Sequence, residues 1–288
     1  MHPTDFASRI SVSVPLDEVS LRMVSKELEL RYVEARAPSE GLDTGSVRNL
    51  LDSYGIIATQ MHGPADQSSD IGNLNRIART KAIEKHKRYL KYCVALGVRY
   101  YVLHPGGILY GKWDDRQKVP IFQFDKNFVE KLIELNVSSI RELAGEAAEH
   151  GVKIAVENAP LNDPTFLTIA DHLRMISEVG RDNVGVCIDV GHANVGMKLK
   201  PADILRQVGS LTWALHLHDN NGTGDQHLPP GWGNIDWADV VKALKEIRYE
   251  GSLNIEFIPS MSNEFVGKDY AESVKSGIAL LRKIISES

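Results

Sequence analysis

The chain predicts an α/β fold of the (β/α)8 barrel class, a single domain over residues 1–288. Three observations predict it: short apolar, β-branched runs alternate with helical segments, eight such runs can be counted, and no Pro/Ser-rich linker or low-complexity block interrupts them. The length of 288 residues suits one large barrel.

In order, the strand candidates are RISVSV (9–14), LRYVEA (30–35), IIATQMH (56–62), VRYYVLH (98–104), VKIAVEN (152–158), VGVCID (184–189), TWALHLH (212–218) and SLNIEF (252–257). Helices are expected between them. The clearest are NRIARTKAIEKHKRYLKYCVALG and KNFVEKLIELNVSSIRELAGEAAEHG, whose apolar residues recur at three and four and which end at Gly97 and Gly151. A strand candidate begins within one or two residues of each of these glycines. An open doubly wound sheet would share this periodicity, so the placement of polar residues has to decide.

Composition narrows the function classes. The chain is 43% hydrophobic and 25% charged, ordinary for a globular protein, with a formal charge of -5. A general electrostatic grip on nucleic acid needs a concentrated positive face, which this balance argues against. Cys93 and Cys187, the two cysteines, each sit in an apolar run and read as buried thiols in a reducing cytoplasm. No window reaches the roughly 18 apolar residues of a spanning helix, so no membrane partner is expected. The oligomeric state is open, a homo-oligomer included.

Most strand candidates past the second end, or nearly end, in a residue that can bind metal: His62, His104, Glu157, Asp189, His216 and Glu256. In a parallel barrel all strand C-termini open on one face, so these residues would converge on a single mouth. Glu157, Asp189 and Glu256 would repel one another there unless a cation or protons neutralised them. A divalent ion is the economical answer. Three carboxylates with imidazole suit Mn, Zn, Co or Fe, whereas an all-oxygen site would favour Mg or Ca. Beyond the strand ends, His192 follows Asp189 at three residues in CIDVGHAN, and the loop HDNNGTGDQHLPPGWGNIDW supplies Asp219, Asp225 and His227. The loop is either a long surface turn with incidental polar residues or a rigid substrate cover.

The motifs MHGP (61–64), LHPGG (103–107), VENAP (156–160), CIDVGHA (187–193), LHLHDNNGTGDQHLPPGWGNIDW (215–237) and NIEF (254–257) span nearly the whole chain. Through them the sequence resembles the xylose isomerase-like TIM barrels, specifically the sugar phosphate isomerase/epimerase group related to endonuclease IV. The resemblance implies one divalent ion held by Glu157, Asp189, His216 and Glu256. It also implies that Glu157 and Glu256 transfer the proton, that His192 contacts substrate oxygen, and that His62, His104, Asp225 and His227 line the substrate pocket. Trp113 or Trp232 would supply an apolar wall. The implied activity is isomerisation or epimerisation of a small-molecule sugar or cyclitol by proton abstraction next to a carbonyl, with a metal-stabilised enediolate.

Two alternatives share these residues. Endonuclease IV holds three zinc ions with positions matching His62, His104, His192, Asp225 and His227 in addition, all present here, although no Lys/Arg cluster lies beside the motif loops. An inosose dehydratase-like lyase would begin with the same proton abstraction. The motifs contain few Lys or Arg, which favours an unphosphorylated sugar or cyclitol. Glu34 and Arg36 end the second strand and either reach the mouth or form a buried ion pair; no role is assigned to them. The basic run KAIEKHKRYLKY reads as a solvated helix face. Nucleotide-binding glycine motifs and a GxSxG nucleophile are absent.

Overall fold

The computed structural model describes residues 6–107, 126–159, 168–195, 200–261 and 269–288, and the backbone alone of 112–114 and 119–121. Eight parallel strands form a nearly closed barrel with helices between them. The barrel strands are β1 (Ile10–Val14), β2 (Tyr32–Ala35), β3 (Ile57–His62), β4 (Tyr100–Leu103), β7 (Lys153–Glu157), β8 (Val184–Asp189), β9 (Thr212–His216) and β10 (Leu253–Ile255). All eight fall within the runs read from the sequence. The pairing order is β10-β1-β2-β3-β4-β7-β8-β9. Closure between β9 and β10 is made by Leu217 N donating to Asn254 O at 2.7 Å and Glu256 N donating to Leu217 O at 3.1 Å. A closed ring, not an open sheet, is therefore the architecture. A short antiparallel pair, β5 (Lys112–Asp114) and β6 (Val119–Ile121), follows β4 and was not expected.

The helices are α1 (Glu18–Lys26), α2 (Thr44–Tyr54), α3 (Arg76–Leu96), α4 (Lys126–Glu149), α5 (Ile169–Val179), α6 (Val190–Asn194), α7 (Pro201–Val208), α8 (Trp237–Glu246) and α9 (Tyr270–Glu287). Their ends are written in the sequence. Asn75 caps α3 by accepting from Ile77 N and Ala78 N, and Gly97 closes it with φ 72°. Thr168 and Asp171 form a reciprocal capping box on α5. Among the described residues, no helix is long and apolar enough to cross a membrane.

Strand residues alternate between the helix layer and the lumen. The main apolar cluster lies between strands and helices, while Val102, Ala155, Cys187 and Ala214 form a separate small cluster in neighbouring register on β4, β7, β8 and β9. Such small side chains leave room above them for polar groups. Both cysteines are free and buried. The basic run on α3 is neutralised locally, Lys85 by Asp66, Lys87 by Glu84 and Glu142, and Arg88 by Glu40.

Candidate metal and substrate site

The period of two continues past the small-residue layer and determines which side chains reach the mouth. Register pairs Glu157 with Cys187 and Asp189 with His216, so these carboxylates and the imidazole rise side by side from β7, β8 and β9. Glu256 follows β10 and joins them across the closure. One ligand atom from each of Glu157, Asp189, His216 and Glu256 lies within 4.8 Å of the others, and all four residues are buried. The sequence-predicted quartet is thus one cluster.

Asp189, Glu157 and His216 each have one polar atom engaged by a protein partner. Asp189 Oδ1 accepts from His192 N at 2.7 Å as the cap of α6, and Oδ2 is buried without a hydrogen-bond partner. Glu157 Oε1 lies 3.0 Å from His216 Nδ1, and its Oε2 is likewise buried without a hydrogen bond. His216 Nε2 meets Glu34 Oε1 at 2.8 Å, leaving Nδ1 toward Glu157, Asp189 and Glu256. Asn158 ties the strands beneath, accepting from Asp189 N at 2.7 Å and donating to Asp189 O at 3.0 Å. Buried carboxylate oxygens without donors are costly in a protein interior. This donor set, oxygen with one imidazole nitrogen and no hydrogen bonds to spare, fits a divalent cation.

The histidines follow one pattern. His62 Nδ1 lies 2.6 Å from Gly63 O, His192 Nδ1 2.8 Å from Asn158 O, and His227 Nδ1 3.2 Å from Glu256 O. In each case a backbone acceptor takes the Nδ1–H and turns Nε2 toward the carboxylates of the site, as outer-shell partners of metal-binding histidines do. The Nε2 atoms of His62 and His104 lie 3.2 Å from each other and 3.5 and 3.3 Å from Glu157 Oε2. Those of His192 and His227 stand 3.4 and 3.3 Å from Asp225 Oδ2. The acidic and histidine site residues read from the sequence are therefore brought together. They fall into neighbouring groups: His62, His104 and Glu157; the central quartet; and His192, His218, Asp225 and His227.

Two members had no role assigned on sequence. Glu34 does not pair with Arg36. It points into the lumen, where it accepts from His216, from Gln60 Nε2 at 3.0 Å and from Asn254 Nδ2 at 2.8 Å. His218 is fully buried, stacks on His227 with ring centroids 3.8 Å apart, and lies 2.9 Å from Asp189 Oδ1, yet neither of its ring nitrogens makes a hydrogen bond. The signal was the alternation in LHLH, which places His216 and His218 on one face of the strand. Gly191 makes room for it, since a Cβ there would come 1.9 Å from His218 Cε1.

The loop after β9 is rigid at its base. Asp219 and Leu228 exchange backbone hydrogen bonds at 2.7 and 2.9 Å, and the buried Asp219 carboxylate accepts from Gly231 N, Ile235 N and Trp237 Nε1. His227 is held in the left-handed region at φ 45°, a strained conformation of the kind that clusters at functional sites. Asp225 and His227 are buried and line the cavity, so the loop covers the mouth. Trp232 instead packs toward α9, its Nε1 donating to Ser276 Oγ at 2.9 Å. The Trp113 side chain lies outside the described residues.

The electrostatics call for positive charge. Burial pushes Glu34 up, but the charge and hydrogen bond of His216 outweigh it and hold it at about 2. Burial likewise opposes ionisation of Glu157 and Asp225, yet the imidazoles around them hold both well below the usual carboxylate range. Burial pulls His62 and His227 down, but Glu157 beside the one and Asp225 beside the other raise both to about 9. His104 is dominated by burial and falls to about 4. Protons on imidazoles balance the carboxylates that a divalent ion would otherwise neutralise.

Above the cluster opens a cavity of about 750 Å³ whose lining includes Glu157, Glu256, His62, His104 and Arg36. Asp189 and His216 lie beneath, fully buried and outside that lining. Two of the four clustered residues thus face the space a substrate would fill, and two serve as a floor.

Comparison with known proteins agrees with this architecture. Residues 24–284 match the family model described as xylose isomerase-like TIM barrel. An uncharacterized protein of Methanocaldococcus jannaschii is 29% identical over 240 residues, covering 82% of this chain and 77% of its own. An inosose isomerase of Bacillus subtilis is 27% identical over 195 residues, covering 64% of this chain and 63% of its own. A crystal structure of a D-tagatose 3-epimerase-like protein is 25% identical, with TM-score 0.74 over 97% of this chain and 98% of that one.

Proposed function

This chain belongs to the xylose isomerase-like TIM barrel family, and from that premise we propose that it is a divalent-metal-dependent isomerase or epimerase of a small ketose or cyclitol. The observation that carries the reading is the buried quartet Glu157, Asp189, His216 and Glu256, of which the two glutamates alone face the cavity. The related inosose isomerase and the epimerase-like structure support the substrate class.

Asp189, His216, Glu157 and Glu256 are the residues that would hold the ion. A bound divalent ion supplies Lewis-acid polarisation of a substrate carbonyl and counter-charge for the oxygen beside it. Glu157, ionised at neutral pH, is ready to take a proton from the carbon next to that carbonyl. Glu256 faces the same cavity from just beyond β10; starting as the carboxylic acid, it gives its proton to the opposite face of the same carbon, inverting it, or to the neighbouring carbon, moving the carbonyl. The turn closes when Glu157 loses its proton to solvent and Glu256 regains one. His62, His104 and His192 carry nitrogens that contact substrate oxygen. Residues 1–288 act as one domain, in the cytoplasm.

A second reading is favoured by the groups flanking the quartet. His62 and His104 on Glu157, and His192, His218, Asp225 and His227 on the other side, each present donors that suit a further ion. Three zinc ions would make the site a phosphodiesterase centre acting on abasic DNA. A lyase that expels water after the same proton abstraction is the third chemistry the residues permit. Metal counting and a screen of ketoses, cyclitol ketones and abasic-site DNA against protein loaded with Mn, Co or Zn separate them. Conversion of a ketose or cyclitol at unchanged mass with one ion per chain supports the proposal. Loss of water assigns the lyase, and strand cleavage with three ions the phosphodiesterase.

A further inference from the structure

We propose that Arg36 forms an anion subsite at the rim of the cavity, one that receives a carboxylate or phosphate carried by the substrate; this rests on the cavity being a ketose or cyclitol site. Arg36 lies two residues beyond Glu34, on the same side of the β2 path but one step nearer the mouth. Its backbone is pinned to the barrel rim, Arg36 N donating to Val14 O at 3.0 Å. Its Nη2 donates to Phe257 O at 2.9 Å, and Phe257 is itself buried and stacked on Tyr270 at 5.0 Å. The guanidinium is therefore held by a neutral carbonyl on a rigid support, one residue from Glu256.

What it is not bound to is as informative. The described lining of the cavity carries five carboxylates, Asp66, Asp70, Glu157, Asp225 and Glu256, and Arg36 is its one Arg or Lys. Arg36 forms no ion pair with any described carboxylate. An arginine in an acidic cavity that pairs with none of the described carboxylates keeps its remaining N–H groups for a ligand, and its planar fork matches a carboxylate or phosphate. Ala37, Ile258 and Met261, chain neighbours of Arg36 and Phe257, line the same cavity and add apolar surface around the charge. A volume of about 750 Å³ leaves space for a substituent beyond the carbons that react over the glutamates. The sparseness of Lys and Arg in the motifs had favoured an unphosphorylated sugar or cyclitol; Arg36 lies outside every motif, and the barrel brings it to the mouth.

The test is calorimetric binding of three unreactive probes to Mn-loaded protein: sorbitol, gluconate and sorbitol 6-phosphate. At least one anionic probe should bind about tenfold or more tightly than sorbitol, and which of the two does so identifies the anion. In Arg36→Gln that ratio should fall to within about twofold. Equal affinities for the three probes in the wild type would overturn the subsite. So would an anion preference that persists in the folded variant, since the metal would then be its source. Arg36→Met, which keeps the apolar stem, replaces the glutamine variant if the latter does not fold. None of these readouts needs turnover, so absent ketose conversion counts against the catalytic reading while the binding ratio alone decides the subsite.

Discussion

Glu34 and His216 form a hydrogen bond of 2.8 Å in the barrel lumen, with both side chains fully buried and His216 Nδ1 left facing Glu157, Asp189 and Glu256. Glu34 thereby fixes the ring orientation and the tautomer that would present Nδ1 to the proposed metal. Glu34→Gln should weaken divalent-metal affinity about 10–100-fold, by analogy with other outer-shell carboxylates. Competition titration against a chelating dye measures it. An unchanged affinity in the folded variant would remove Glu34 from the site.

The metal-free protein should lose stability on the alkaline side. His62 and His227 stand at about 9 in the fold, above the ordinary value of 6.5, so the fold favours their protonated forms. That contribution is complete below about pH 6.5 and disappears as pH rises through about 9. Thermal midpoints of metal-free protein should therefore fall across this window. Metal must displace the same protons, so binding should release protons at pH 7 and tighten as pH rises toward 9. A flat or rising metal-free midpoint between pH 6.5 and 9 would contradict the assignment.

Asp219 organises the covering loop through a buried carboxylate that accepts from Gly231 N, Ile235 N and Trp237 Nε1. Asp219→Ala would leave those donors unpaired and should cost about 3 kcal/mol or more in urea unfolding. A loss below about 0.5 kcal/mol would show that the loop holds without it.

Much of the barrel was legible because its strands are β-branched runs and its long helices stop at glycines such as Gly97 and Gly151, which take the left-handed conformation the next turn requires. The clustering of the central quartet was legible for a related reason: a charged residue at the end of an apolar run is conspicuous, and parallel topology sends all such ends to one face. Lateral and vertical position were not legible. Glu34 and Arg36 share a face at adjacent depths, but whether they pair with each other depends on register across the closed barrel, which periodicity does not encode. His218 closes the TWALHLH run on the same face as His216 and was passed over despite that signal. The β5–β6 pair escaped notice because three-residue strands, one containing Pro120, carry no periodic signal.

The central claim is that Glu157 and Glu256 move a proton over a metal floored by Asp189 and His216. It is tested most directly by Glu256→Gln, using the ketose or cyclitol that the loaded wild type converts, with circular dichroism to confirm the fold. Turnover should fall at least about 100-fold and as much as about 10,000-fold, the range a positioned acid/base group supplies. Near-normal turnover in a folded, metal-loaded variant would contradict the account.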